Sequence, residues 1–189
     1  MMKKGLWFAL LVCSNMFAQQ YLVKKGGTKI DMHSFHVNES KKRVEYKANS
    51  QNSAILFNDV DSLVVDKKVL KRFDIGKKQR LLYVIASSKG KTLATSNKMV
   101  SRYVGGFESV VKQYEIVLIE NGKATETLKF TARESDAEDR AKVFKIASTH
   151  FMDCNSFMER LALLGDQEDK SNLILLNYLD NPERLYCKK

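Results

Sequence analysis

Two hydrophobic periods divide this chain, and the point where one gives way to the other constrains its fold more than any motif. Up to about residue 131, apolar residues recur at the two-residue spacing of half-buried strands. From about residue 135 they recur near every 3.6 residues, as in helices buried along one side.

The clearest hairpin lies just before that border. Tyr114-Glu115-Ile116-Val117-Leu118-Ile119 and Thr125 to Phe130 flank Asn121-Gly122, a pair that tolerates the positive φ of a type I′ turn. Ser135 and Glu138 then form an S-x-x-E capping box, after which Val143, Phe144, Ala147, His150 and Phe151 fall on one helical face. Asp153-Cys154-Asn155 breaks that helix. Asn155 or Ser156 caps a second one, lined by Phe157, Leu161 and Leu164 and stopped by Gly165. Ser171 caps a third over Asn172 to Leu179, which Pro182 ends.

Upstream the reading is strand after strand. Tyr21-Leu22-Val23-Lys24 precedes a Gly26-Gly27 turn, and Thr28 to Val37 alternates as one strand. Arg43 to Lys47 and Ser53 to Phe57 follow, with Asn58-Asp59 bending the chain into Val60. Leu63-Val64-Val65 and Val69 to Phe73 form a hairpin about Asp66-Lys67-Lys68. Leu81 to Ala86 is the most apolar strand and therefore central; Lys89-Gly90 turns it into Thr92 to Thr95. Residues 97–106, ending in Gly105-Gly106, read as a loop or a short helical turn. Strands followed by helices indicate an α+β fold: an antiparallel sheet of about seven to nine strands, then three C-terminal α-helices. The sequence predicts one domain over 19–189, with strands at about 21–131 and helices at about 135–181.

The first eighteen residues are of a different kind. Lys3 and Lys4 precede the apolar Leu6-Trp7-Phe8-Ala9-Leu10-Leu11-Val12, and Ala18/Gln19 reads as the cleavage site. Segment 1–18 reads as a signal peptide, too short to span a bilayer. Cleavage is preferred to lipidation at Cys13, because Val12 is large for the position before a lipidated cysteine, and to a retained anchor. The expectation is an exported protein, periplasmic or secreted, with outer-membrane association left open and no membrane span after cleavage. Cys154 and Cys187 then remain in a compartment that permits disulfides. They are either a bridge, worth about 3–4 kcal/mol for a loop of roughly thirty residues, or two buried thiols.

Charge is uneven. Residues 41–102 carry fifteen Lys/Arg against five Asp/Glu, a surplus of ten, whereas residues 103–189 carry twelve against fifteen. A basic half suggests an anionic polymer as partner: glycan, lipid headgroup or nucleic acid. Lys67, Lys68, Lys71 and Arg72 are the candidate contacts. The competing reading is that these lysines solvate the sheet and guard its edges.

Catalytic signals are sparse. His33 and His36, three apart in one strand, face opposite ways and cannot share a metal. Asp59 and Asp61 lack the surrounding pattern of a calcium loop, and Asp59 suits a turn. No phosphate loop, dinucleotide fingerprint or nucleophile elbow appears. Cys154 beside Asp153 and near His150 is the one nucleophile–base neighbourhood. No catalytic, metal or cofactor residue is assigned, and no cofactor is implied.

Two stretches resemble a group of exported Bacteroidota proteins of uncharacterised function. One runs from Tyr21-Leu22-Val23 and its glycine turn through Thr28-Lys29-Ile30 and Val44-Glu45-Tyr46 to Phe57-Asn58-Asp59-Val60. The other is Phe144 to Tyr178, with the helical Phe151-Met152-Asp153-Cys154 step and a closing Asn177-Tyr178, in reverse order to the group's Tyr-Asn. The resemblance implies an exported α+β domain and carries no activity, cofactor or site. The expected function is a non-catalytic envelope or periplasmic protein that binds or supports. The alternatives are a hydrolase-like enzyme without a recognisable motif, and a polyanion binder working through the basic half.

Overall fold

The computed structural model describes residues 20–131, 137–162, 173–185 and 187. The leader 1–18, the Ser135 cap, Gly165 and Ser171 lie outside them.

Eleven strands are present among the described residues: β1 (Gln20–Lys24), β2 (Lys29–Asp31), β3 (Ser34–Asn38), β4 (Arg43–Ala48), β5 (Gln51–Leu56), β6 (Val60–Val65), β7 (Lys68–Ile75), β8 (Lys78–Ser88), β9 (Lys91–Val104), β10 (Phe107–Glu120) and β11 (Lys123–Thr131). Three helices follow: α1 (Ala137–His150), α2 (Asn155–Leu161) and α3 (Leu173–Asp180). The fold is α+β with its helices C-terminal.

The large sheet is antiparallel with order β11-β10-β9-β8-β7-β6-β1-β2, and β3-β4-β5 form a small one. From β6 to β11 the chain is a meander whose strands are separated by two residues at each corner. Asn121 (φ 49°) and Gly122 (φ 79°) are both left-handed, as a type I′ corner requires.

Two expectations are corrected. Thr28–Val37 is not one strand. The Met32 amide bonds Gln20 O in the large sheet, while the His33 amide bonds Lys47 O in the small one. The chain changes sheets between these residues, which places buried Met32 in the core between them. Residues 97–104 are strand rather than loop or helix, because each of them finds a partner on β10. Gly105 and Gly106, at φ 60° and 84°, turn that hairpin. The first change adds a strand and the second lengthens β9, and the described residues hold eleven strands against the seven to nine expected.

One face of the large sheet holds two cores. Leu22, Leu63, Leu70 and Leu81 pack against Val44 and Ile55 of the small sheet. Further along the same face, Leu93, Tyr114, Ile116, Leu118 and Phe130 meet Val143, Ala147, Phe151, Phe157, Leu175 and Leu179 from the helical segment. Across the opposite face β11 comes back against β7, so the sheet curls. Leu82, Ala94, Val117 and Ile119 fill that concave side with Phe73, Ile75 and Ala124.

Candidate anion-binding cleft

Apolar residues fill only part of the concave side. Farther along the same strands the inward positions turn polar: Lys78 and Arg80 on β8, Ser96 and Lys98 on β9, Gln113 and Glu115 on β10, Lys129 on β11. Spacing by two holds each pair on one face, and the register Glu115↔Ser96, Gln113↔Lys98 and Glu115↔Lys129 sets them side by side. Val37, Glu39, Ser40 and Lys42, from β3 and the turn after it, close one side of a cleft of about 810 Å³.

The floor is an ionic network. Arg80 donates to Glu115 Oε2 at 2.5 Å and to Ser96 Oγ at 2.9 Å, while Lys129 Nζ stands 3.6 Å from Glu115 Oε1. Glu115 is only 12% exposed. A carboxylate withdrawn that far from water requires paired charges, and two cations answer it. The rim differs. No ion pair holds Lys42, Lys78 or Lys98 among the described residues. Five cations therefore meet two acids in the cleft, Glu39 and Glu115. No aromatic side chain lines it, so it offers charge and hydrogen bonds but no stacking surface.

The four basic residues expected from the sequence do not form one patch. Lys67 sits in the β6–β7 turn at φ 70°. Lys68 Nζ donates to Asp180 O at 2.8 Å. Arg72 bonds Asn58 Oδ1 at 2.9 Å and approaches Asp74 at 3.5 Å. Lys71 is exposed on the face opposite Arg72. The cleft residues do carry a signal in the sequence: Lys78-x-Arg80, Ser96-x-Lys98 and Gln113-x-Glu115 place polar pairs at strand spacing beside apolar runs.

Cys154, Asp153 and His150 do not converge on one cleft. Cys154 Sγ is 2.04 Å from Cys187 Sγ, with the Cα atoms 5.7 Å apart, so the bridge alternative holds. A bridged sulfur has no thiolate to offer. Asp153 accepts from Ser88 Oγ at 2.7 Å. That bond holds its carboxyl below the usual range against the opposing effect of burial, with help from Lys89. His150 faces away, its ring 2.9 Å from Lys91 Nζ, 3.5 Å from Glu120 and 3.6 Å from Glu126. His33 lies at the bend between sheets and His36 opposite Glu45 on β4. Among the described residues no three His, Cys, Asp or Glu gather as metal ligands, and no helix is long and apolar enough to cross a membrane.

No protein-family profile, curated protein or solved structure matches this chain.

Proposed function

We propose that this is an exported, non-catalytic binding protein that holds an anionic polymer of the cell envelope in the cleft of Lys42, Lys78, Arg80, Lys98 and Lys129. The carrying observation is that three rim lysines, none of them in an ion pair among the described residues, line one cleft in which Glu39 is the one acid outside the Glu115 network. Self-repulsion among such lysines costs stability, and an anionic chain laid across them relieves it. The lining suits phosphate or carboxylate groups spaced along a polymer better than rings that need stacking.

Export rests on the leader read at 1–18 and draws support from the Cys154–Cys187 bridge, a feature of oxidising compartments. We also propose membership of the exported Bacteroidota group that the chain resembles. The Phe-x-Asp-Cys step has a structural role here, since Phe151 is wholly buried and Cys154 meets Cys187.

The test is binding of heparin and of polyphosphate across a salt series, for the native protein and for K42Q/K78Q/K98Q. Native affinity should fall with salt, and the triple variant should lose about tenfold or more while its salt slope flattens by about one per lysine removed. Neutralising Lys67 and Lys71, neither of which lines the cleft, should change little. Equal losses from both sets of variants would reduce the cleft to a general surface charge and sink the reading.

A further inference from the structure

The β9–β10 hairpin outruns the sheet that carries it. β8 pairs with β9 only as far as Thr95, and β11 pairs with β10 only from Gln113 onward. Beyond them, the rows from Met99↔Lys112 to Val104↔Phe107 form a two-stranded ribbon with no third strand among the described residues. Six such rows reach about 20 Å.

A two-stranded ribbon is marginal in water; at its root Val111 is buried, and toward its tip it is apolar where it is most exposed. Phe107 is 81% exposed, Tyr103 76%, Met99 63% and Val110 57%. The register sends Met99, Tyr103 and Val110 to one face and Phe107 to the other. Behind the tip stand Lys98 and Arg102, while Lys112 is held by Asp180, and Glu108 is the one acid between residues 98 and 112.

We infer that this ribbon tip, led by Tyr103 and Phe107, inserts into the interface of a lipid surface bearing anionic headgroups. Two observations select that occupant. A flat protein partner would cover one side of the ribbon, whereas the exposed apolar groups lie on both, as immersion of a tip requires. Aromatic side chains at headgroup depth with basic residues just behind them also match the charge of an anionic membrane surface. The inference stands apart from the cleft reading, and either can fail alone. Lys98 belongs to both regions, so a seated tip would bring the mouth of the cleft to the membrane surface.

The experiment is co-sedimentation of the mature protein with vesicles of phosphatidylcholine containing phosphatidylglycerol, and with phosphatidylcholine alone. Binding should favour the anionic vesicles and fall about tenfold in Y103S/F107S, whose heparin affinity and far-UV spectrum should stay native because both side chains lie in solvent. Phe107→Trp supplies a direct probe, since the single tryptophan, Trp7, lies in the leader. Its emission should shift to the blue with vesicles and be quenched by brominated acyl chains. Absence of vesicle binding would overturn the inference. So would vesicle binding lost in K42Q/K78Q/K98Q but kept in Y103S/F107S, which would assign the attraction to the cleft. A dimer dispersed by Y103S/F107S, with no quenching at position 107, would assign the ribbon to a second copy of the chain.

Discussion

The two faces of the large sheet solve opposite problems. One face is covered by the small sheet at one end and by the helical segment at the other, except along the projecting β9–β10 ribbon. On the concave face apolar packing stops halfway, and beyond it Glu115 holds Arg80 and Lys129 while the rim lysines make no ion pair among the described residues. The comparison teaches that packing and unpaired charge are divided: the two larger cores lie on the covered face, and the proposed polymer-binding surface lies on the other, beyond a smaller core. Loss of a buried group should therefore be felt in stability alone, and loss of a rim lysine in binding alone.

The largest effect that can test this separation is expected at Phe130. Its ring is 2% exposed, stacks 5.9 Å from Tyr114 and lies in the core beneath the helices. Phe130→Ala should cost about 3–5 kcal/mol, read from urea denaturation. At a temperature where the variant stays folded, its heparin affinity should remain native. A parallel loss of affinity would show that the two faces are coupled through β11, which carries both Phe130 and Lys129.

Next comes the bridge. Cys154–Cys187 closes a loop with a sequence separation of 33 and ties the segment after α3 to the start of α2. Reduction should cost about 3–4 kcal/mol, visible as a shift of the denaturation midpoint with and without reductant. Thiol titration of the native protein should find none free. Polymer binding should survive reduction as long as the fold does, because neither cysteine lines the cleft.

What the sequence could show follows from how far each feature reaches along the chain. The Asn121-Gly122 corner and the strand-to-helix border are local, carried by turn chemistry and periodicity, and both were legible. Residues 97–104 were not. Lys98, Ser101 and Arg102 interrupt both faces of that strand, so neither face reads as core, and only the register with β10 makes it a strand. The handover at Met32 and His33 was hidden for a similar reason: alternation continues across it while the pairing partner changes. The cleft is the extreme case. Its residues come from β3, the following turn and four strands of the large sheet, and nothing local links Lys42 to Lys129. Proximity in sequence suggested Lys67, Lys68, Lys71 and Arg72 instead, where the pleat sends neighbours to opposite faces.

A smaller effect belongs to Asp180, at the end of α3. Its carboxylate accepts from Lys112 Nζ at 2.5 Å and Tyr114 Oη at 3.0 Å, and its carbonyl from Lys68. Burial pulls Lys112 down, but the hydrogen bond and charge of Asp180 outweigh it, so this lysine titrates above the usual range. Burial raises the Tyr114 phenol, and Asp180 raises it further. Both folded-state values exceed their unfolded ones. Their stabilisation is therefore complete below about pH 10 and lost as pH climbs through the folded values. Asp180→Asn should cost about 1–2 kcal/mol at neutral pH, discounted for its partial exposure, and should flatten the alkaline limb of the stability profile. An unchanged limb would place the alkaline transition in other groups.

The smallest expected change in stability is at the rim of the cleft, and its sign is the informative part. Lys42, Lys78 and Lys98 hold no ion pair among the described residues, so K42Q/K78Q/K98Q removes no attractive contact. It removes mutual repulsion, which operates over the Debye length of about 8 Å at physiological salt. The triple variant should therefore be as stable as the native protein or slightly more so, within about 0.5 kcal/mol. Any gain should be present in dilute buffer and shrink as salt is added. Thermal melts at low and high salt would read it directly. A variant less stable than the native protein at both salt concentrations would mean that the rim lysines pack their stems against the sheet, and the division between a face that folds the chain and a face proposed to bind would fail at its most exposed point.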